Sequence, residues 1–234
     1  MDRKVPWTVL DSIVGLFVIF GASFLLGGLA IPILNSFSLG TDIKLQLLFG
    51  SVIQTGLIFL VLYYYLVVKY AVPLTSIGFQ GKPLKDVFWV AVRWGLGIFI
   101  TVFVSGMIME RFVPGPHELQ PFAQLVLEAN SWTGLIIPFL IAVVIAPFGE
   151  EVFFRGFLYS ALKERLGMKA GLIAAGLIFG AMHFDLIRLV PLGLGGIGLA
   201  LLYEKTGTIF APIIAHGTWN GIMLILLIAS NNAI

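Results

Sequence analysis

Seven stretches of this chain are predominantly apolar, five of them long enough for a bilayer crossing, which narrows the folds open to it more than any other feature. They cover residues 8–33, 44–69, 86–110, 133–163, 169–184, 189–203 and 208–230. A spanning helix needs roughly 20 predominantly apolar residues. Charged residues make up only 11% of the chain, hydrophobic residues 59%, and mean hydropathy is +1.03. A soluble domain of this length carries about a quarter charged residues, so lipid must cover most of the surface. The expected fold is an all-α, polytopic transmembrane bundle of seven to eight helices with a polar intramembrane cavity. Its 234 residues suit one integral membrane domain, 1–234, with a motif-bearing core over about 133–230.

Interruptions in the runs shape the expected helices. Pro147-Phe148-Gly149 lies inside the fourth run, where a missing amide and a flexible glycine are expected to kink or break the helix. The fifth and sixth runs are short and separated by Asp185 and Arg188, as if they reach a cavity or a thinned region. The first run continues to Leu34 past Gly21-Ala22-Ser23, longer than a signal-peptide core, and is expected to be a retained helix.

Basic residues in short loops indicate orientation. Arg3, Lys4, Lys69, Lys82, Lys85, Arg93, Lys163, Arg165, Lys169 and Lys205 fall at alternate loops, favouring a cytoplasmic N-terminus for a multi-pass protein. The opposite loops hold Asp42, Lys44, Glu110, Arg111, Glu118 and Glu128. Between 115 and 131, Gln120, Gln124 and Glu128 form a polar stripe with Phe122, Leu125, Val126 and Ala129 largely elsewhere, consistent with a short surface helix. A net charge of +2 gives no reason to expect nucleic acid as a partner. With no cysteine, disulfides, thiolate metal sites and thiol nucleophiles are excluded. Gly193-Leu194-Gly195-Gly196-Ile197-Gly198 matches G-x-G-x-x-G, but it lacks the preceding strand of a dinucleotide site. Small residues in a membrane helix instead permit close helix packing.

Ionisable residues inside a membrane are costly and therefore functional candidates. They form three clusters here. In the first, Glu151 and Arg155 stand four apart, acid first, as a favourable helical pair. Glu150 lies about 100° around the helix and lacks that partner, and a buried, incompletely paired carboxylate is suited to act as a base. In the second, Phe179 and His183 share a helix face; in the third, His216 and Asn220 do, both able to donate hydrogen bonds. Each cluster alone has a plainer reading: an interfacial ion pair, a histidine bonded within the bundle, and an interhelical polar pair. Depth joins them. Glu150 lies roughly 20 Å from Lys163 along its helix, His183 roughly 21 Å from Lys169, and His216 roughly 16 Å from Lys205, at 1.5 Å per residue. If those basic residues share a side, the clusters meet.

Glu150-Glu151-x-x-x-Arg155, Phe179-x-x-x-His183 and His216-x-x-x-Asn220 resemble the three ordered motifs of the CPBP family, which includes the CAAX prenyl endopeptidases of the Rce1 type and bacterial Abi proteins linked to bacteriocin self-immunity. The resemblance covers roughly 145–222; the earlier helices match only as generic spans. It implies an intramembrane endopeptidase in which Glu150 and His183 activate water and His216 and Asn220 stabilise the oxyanion. Glu151 and Arg155 would support the site, with Phe179 beside them. The residues alone do not decide which glutamate is the base. Two histidines and a glutamate, Glu150, His183 and His216, also form a plausible zinc set. No His-Glu-x-x-His is present, and the preferred expectation is a glutamate-activated water with no required metal. No serine sits in a nucleophile-elbow context. Expected partners are membrane lipid and a peptide or lipidated peptide. The competing functions are a non-enzymatic immunity-like membrane protein and a proton- or metal-coupled transporter; oligomeric state is not indicated.

Overall fold

Each apolar run becomes a helix. The computed structural model describes residues 4–36, 42–80, 84–113, 121–129 and 131–231. Among them α1 spans Val9–Ser36, α2 Ile43–Lys69, α3 Leu84–Phe112 and α4 Pro121–Leu127. Next come α5 at Thr133–Leu166, α6 at Met168–Ala181, α7 at Leu186–Thr206 and α8 at Phe210–Asn231. All but α4 and α6 are long and apolar enough to cross a membrane. Their outward faces carry large apolar side chains such as Leu10, Phe17 and Phe24, which are 70%, 74% and 82% exposed. Lipid stabilises such a surface and water does not. The chain is a multi-pass helical membrane protein.

Contacts between helix ends show which loops lie together. Lys69, closing α2, pairs with Asp11 at the start of α1. Asp11 also accepts from the Thr8 amide and hydroxyl and from the Tyr70 hydroxyl, and that last bond holds the Tyr70 phenol above its ordinary pKa. Trp7 Nε1 donates to the Phe157 carbonyl in the C-terminal part of α5. Lys163 pairs with Glu204 near the end of α7, and Lys205 lies over the Trp94 ring near the start of α3. Lys69, Lys85, Lys163, Arg165, Lys169 and Lys205 therefore gather at one end of the bundle, as the depth comparison requires. Arg3, Lys82 and Glu118 lie outside the described residues.

Of the kink or break expected at Pro147 there is no break, and the expected length of the sixth run is corrected. α5 does not break at Pro147; it continues as one helix of 34 residues. Proline removes the amide of residue 147, and the helix widens just before it to a π turn over Leu140–Ile145, where the Ala146 amide bonds to Ile141. In that wider register the Ala142 carbonyl would look to residue 147, which has no N–H. The Asn220 side chain of α8 fills the place, donating from Nδ2 to the Ala142 oxygen at 2.8 Å. The proline is thus accommodated by a neighbouring helix. The sixth run is not short: α7 has 21 residues, because Asp185 caps its N-terminus through the Ile187 and Arg188 amides and starts it early. The fifth run is short, as expected; α6 has 14 residues, fewer than a membrane crossing needs.

Two further expectations, the short helix within 115–131 and the packing role of the glycine-rich run, find direct counterparts. The segment 115–131 contains α4, with Gln120 outside the described residues. The apolar side of this segment is turned to the protein: Val126 and Ala129 are buried with Leu135 and Leu224. The glycine-rich run lies in the middle of α7 and packs on α6. A Cβ on Gly176 would stand 2.6 Å from the Gly193 carbonyl, so the backbones meet without side chains between them.

Candidate active site

Glu150 and Glu151 are adjacent in α5 and have opposite environments. Glu151 is fully buried, and its Oε1 accepts from Arg155 Nη1 at 2.7 Å and from His216 Nδ1 at 2.8 Å. Arg155, one helical turn on, is 1% exposed and lies over the Phe179 ring at 4.4 Å. A cation over an aromatic face and a carboxylate on its fork form a charge-balanced unit inside the bundle. The expected Glu151–Arg155 pair is present, and α8 joins it through His216.

Phe179 of α6 is the hub of the surroundings. Its ring meets Phe154, His183 and His216 at centroid distances of 5.1, 5.1 and 5.9 Å. His216 also stacks on Trp219 at 5.1 Å. One phenylalanine thus brings the second and third sequence clusters against the first.

Glu150 turns the other way. It lines a cavity of about 190 Å³ together with His183, Gln54 of α2 and apolar side chains of α1, α2 and α5. His183 lies in the turn between α6 and α7, followed by Phe184 in a left-handed conformation (φ 52°). Phe184 packs edge-on to Phe20 of α1. The His183 Nδ1 stands 2.9 Å from the Phe179 carbonyl. A carbonyl only accepts, so Nδ1 carries the proton and Nε2 of the neutral ring is an acceptor. Glu150 has no hydrogen-bond partner among the described residues. An unpartnered carboxylate and an imidazole acceptor thus share one cavity wall.

His216 and Asn220 are held differently from Glu150 and His183. Neither lines that cavity; the Nδ1 of His216 is on Glu151 and the amide of Asn220 is on Ala142. Among the described residues, no three His, Asp or Glu side chains stand together as a set able to hold a metal ion. Glu150, His183 and His216 do not form the alternative zinc set in this arrangement. Gln54 and Trp219 went unnoticed in the sequence. Gln54 could have been found as a polar residue in an apolar span, whereas Trp219 gave no signal beyond its place inside the third cluster.

Comparison with known proteins finds similarity over part of the chain. Residues 132–222 match the family model described as "Rce1-like: Type II CAAX prenyl endopeptidase Rce1-like". The chain is 32% identical over 146 residues to "Putative membrane peptidase YdiL" of Bacillus subtilis, covering 61% of this chain and 59% of that protein. It is 26% identical over 132 residues to "Uncharacterized 24.3 kDa protein" of Escherichia coli, covering 54% and 60%. It is 26% identical over 170 residues to human "CAAX prenyl protease 2", covering 63% and 50%. The chain thus spans between half and three-fifths of the length of these relatives. No solved structure is a significant match. Residues 132–222, which carry Glu150, Arg155, His183, His216 and Asn220, are similar to the Rce1-like family of type II CAAX prenyl endopeptidases.

Proposed function

We propose that this chain is an intramembrane endopeptidase that hydrolyses a peptide bond in the cavity between α1, α2 and α5. The observation that carries this reading is the unpartnered Glu150 beside His183 on the cavity wall, with the neighbouring charges of Glu151 and Arg155 already matched. Glu150 takes a proton from a water molecule as its oxygen attacks the scissile carbonyl carbon. His183 Nε2 accepts the second water hydrogen and orients the nucleophile. As the tetrahedral intermediate collapses, the proton on Glu150 passes to the departing nitrogen and the C–N bond breaks, giving an acid and an amine.

His216 and Asn220 are proposed as oxyanion donors, which requires the substrate carbonyl to reach past the wall formed by Glu150 and His183, and each has a further condition to meet. Asn220 retains one amide N–H beyond its bond to Ala142. His216 Nδ1 is already engaged by Glu151, so Nε2 donates to an oxyanion only when both ring nitrogens carry a proton. No step is routed through a metal, and none is required in this proposal. The substrate is a membrane-associated peptide, and the name of the human relative makes a prenylated CAAX-type peptide the first one to test.

Purified protein in liposomes should cleave a quenched prenylated peptide. Glu150→Gln and His183→Ala should each lower kcat by about 10²–10⁴-fold, the usual contribution of a general base. Cleavage that survives both substitutions would refute the assignment. Ion-coupled uptake without cleavage would favour a transporter instead.

A further inference from the structure

A third polar side chain shares the cavity with Glu150 and His183, and none of the three sequence clusters contains it. Gln54 lies in α2, inside a span of mean hydropathy 2.0, and lines the same cavity. Among the described residues it has no hydrogen-bond partner. A polar side chain in a membrane helix ordinarily finds an interhelical partner, because an unsatisfied group in hydrocarbon is costly. One that faces a cavity beside the proposed base is left free for a ligand.

Local packing sets its position. Gly149, the residue before Glu150, has no side chain between α5 and α2. A Cβ there would stand 3.1 Å from Thr55 Oγ1 and 3.3 Å from Ile58. This close approach packs α2 on α5 next to Gln54 and Glu150, and both of these residues line the cavity. Ile58, one helical turn beyond Gln54, lines the cavity as well, so this face of α2 is turned toward α5.

Donor and acceptor chemistry then suggests a role. An ionised Glu150 only accepts, and the free nitrogen of neutral His183 is an acceptor. Leu16, Ile19 and Phe20 of α1 bring no polar atom to the wall. Gln54 brings two N–H donors that do not depend on protonation. A carbonyl that becomes tetrahedral places negative charge on its oxygen, and donors fixed around that oxygen speed the reaction.

We propose that Gln54 is a substrate-binding catalytic residue whose Nε2 donates to the carbonyl oxygen of the scissile peptide bond, most strongly once that oxygen carries charge. The proposal rests on the peptidase reading above and adds a donor from α2 to those on α8.

The test measures kcat and KM separately for wild type, Gln54→Met and Gln54→Leu in liposomes, using the quenched prenylated peptide, with unfolding midpoints recorded in parallel. The expected result is a fall in kcat of about 10²–10³-fold, the usual cost of one lost oxyanion donor, with KM and the midpoint little changed. A residue without an internal partner tolerates an apolar replacement, so unfolding of either variant would contradict the proposal. Wild-type kcat in both variants, or a rise in KM alone, would overturn it while leaving the peptidase reading intact. Absence of cleavage by the wild type under conditions where it is folded would remove the peptidase reading and this proposal together.

Discussion

Adjacent glutamates with opposite surroundings should respond in opposite ways to the same substitution. Glu151→Gln keeps the side-chain shape and removes the charge that Arg155 and His216 share. A hydrogen bond to a charged group contributes about 1.5–3 kcal/mol and a neutral one about 0.5–1.5. The two bonds on Glu151 Oε1, at 2.7 and 2.8 Å, would together weaken by about 2–3 kcal/mol. The other oxygen, Oε2, is buried without a partner, so an amide N–H₂ placed there gains no acceptor. Arg155, 1% exposed, is also left without its counter-charge, and removing one partner of a buried pair costs about 3–5 kcal/mol. We expect Glu151→Gln to lose about 3 kcal/mol of stability. Glu150→Gln alters a side chain with no internal partner and should stay within about 0.5 kcal/mol of wild type, while lowering kcat by about 10²–10⁴-fold. Reversible unfolding in mixed micelles, followed by circular dichroism for both variants, measures the difference. Equal losses in the two variants, or a neutral Glu151→Gln, would refute the division of roles drawn from the structure.

Helix packing and orientation give two further tests. A Cβ on Gly180 would collide with the Leu189 carbonyl and stand 2.9 Å from the Gly193 amide; Gly180→Ala should therefore cost about 1–3 kcal/mol by overpacking. Gly28→Ala, where nothing lies within 4 Å, should be neutral or gain up to about 1 kcal/mol in helix propensity. Because the chain has no cysteine, single replacements report accessibility cleanly. Lys85→Cys and Arg165→Cys should react with an impermeant maleimide from the cytoplasmic side of oriented vesicles, and Asp42→Cys from the other side. Reaction of Lys85→Cys and Arg165→Cys from different sides would contradict the bundle's topology.

The sequence alone determined that this chain is a membrane bundle, because lipid sets a length and a hydropathy that each span must meet whatever its neighbours do. It also paired Glu151 with Arg155, since four-residue spacing brings such side chains together on any helix, and it separated Glu150 from that pair by the same geometry. Pro147 was misleading. Its effect depended on Asn220, 73 positions away, supplying the donor that lets α5 continue. The reach of α7 likewise depended on Asp185 being free to cap it. Only the tertiary structure decided that Glu150 faces a cavity while Glu151 binds His216, that Phe179 joins the three clusters, and that Gln54 of an otherwise generic span stands beside the proposed base. Periodicity fixes which side chains share one helix face. Which face meets which depends on how helices approach, and here that is set by missing side chains at Gly149, Gly176 and Gly193, whose consequences appear only when the helices are packed.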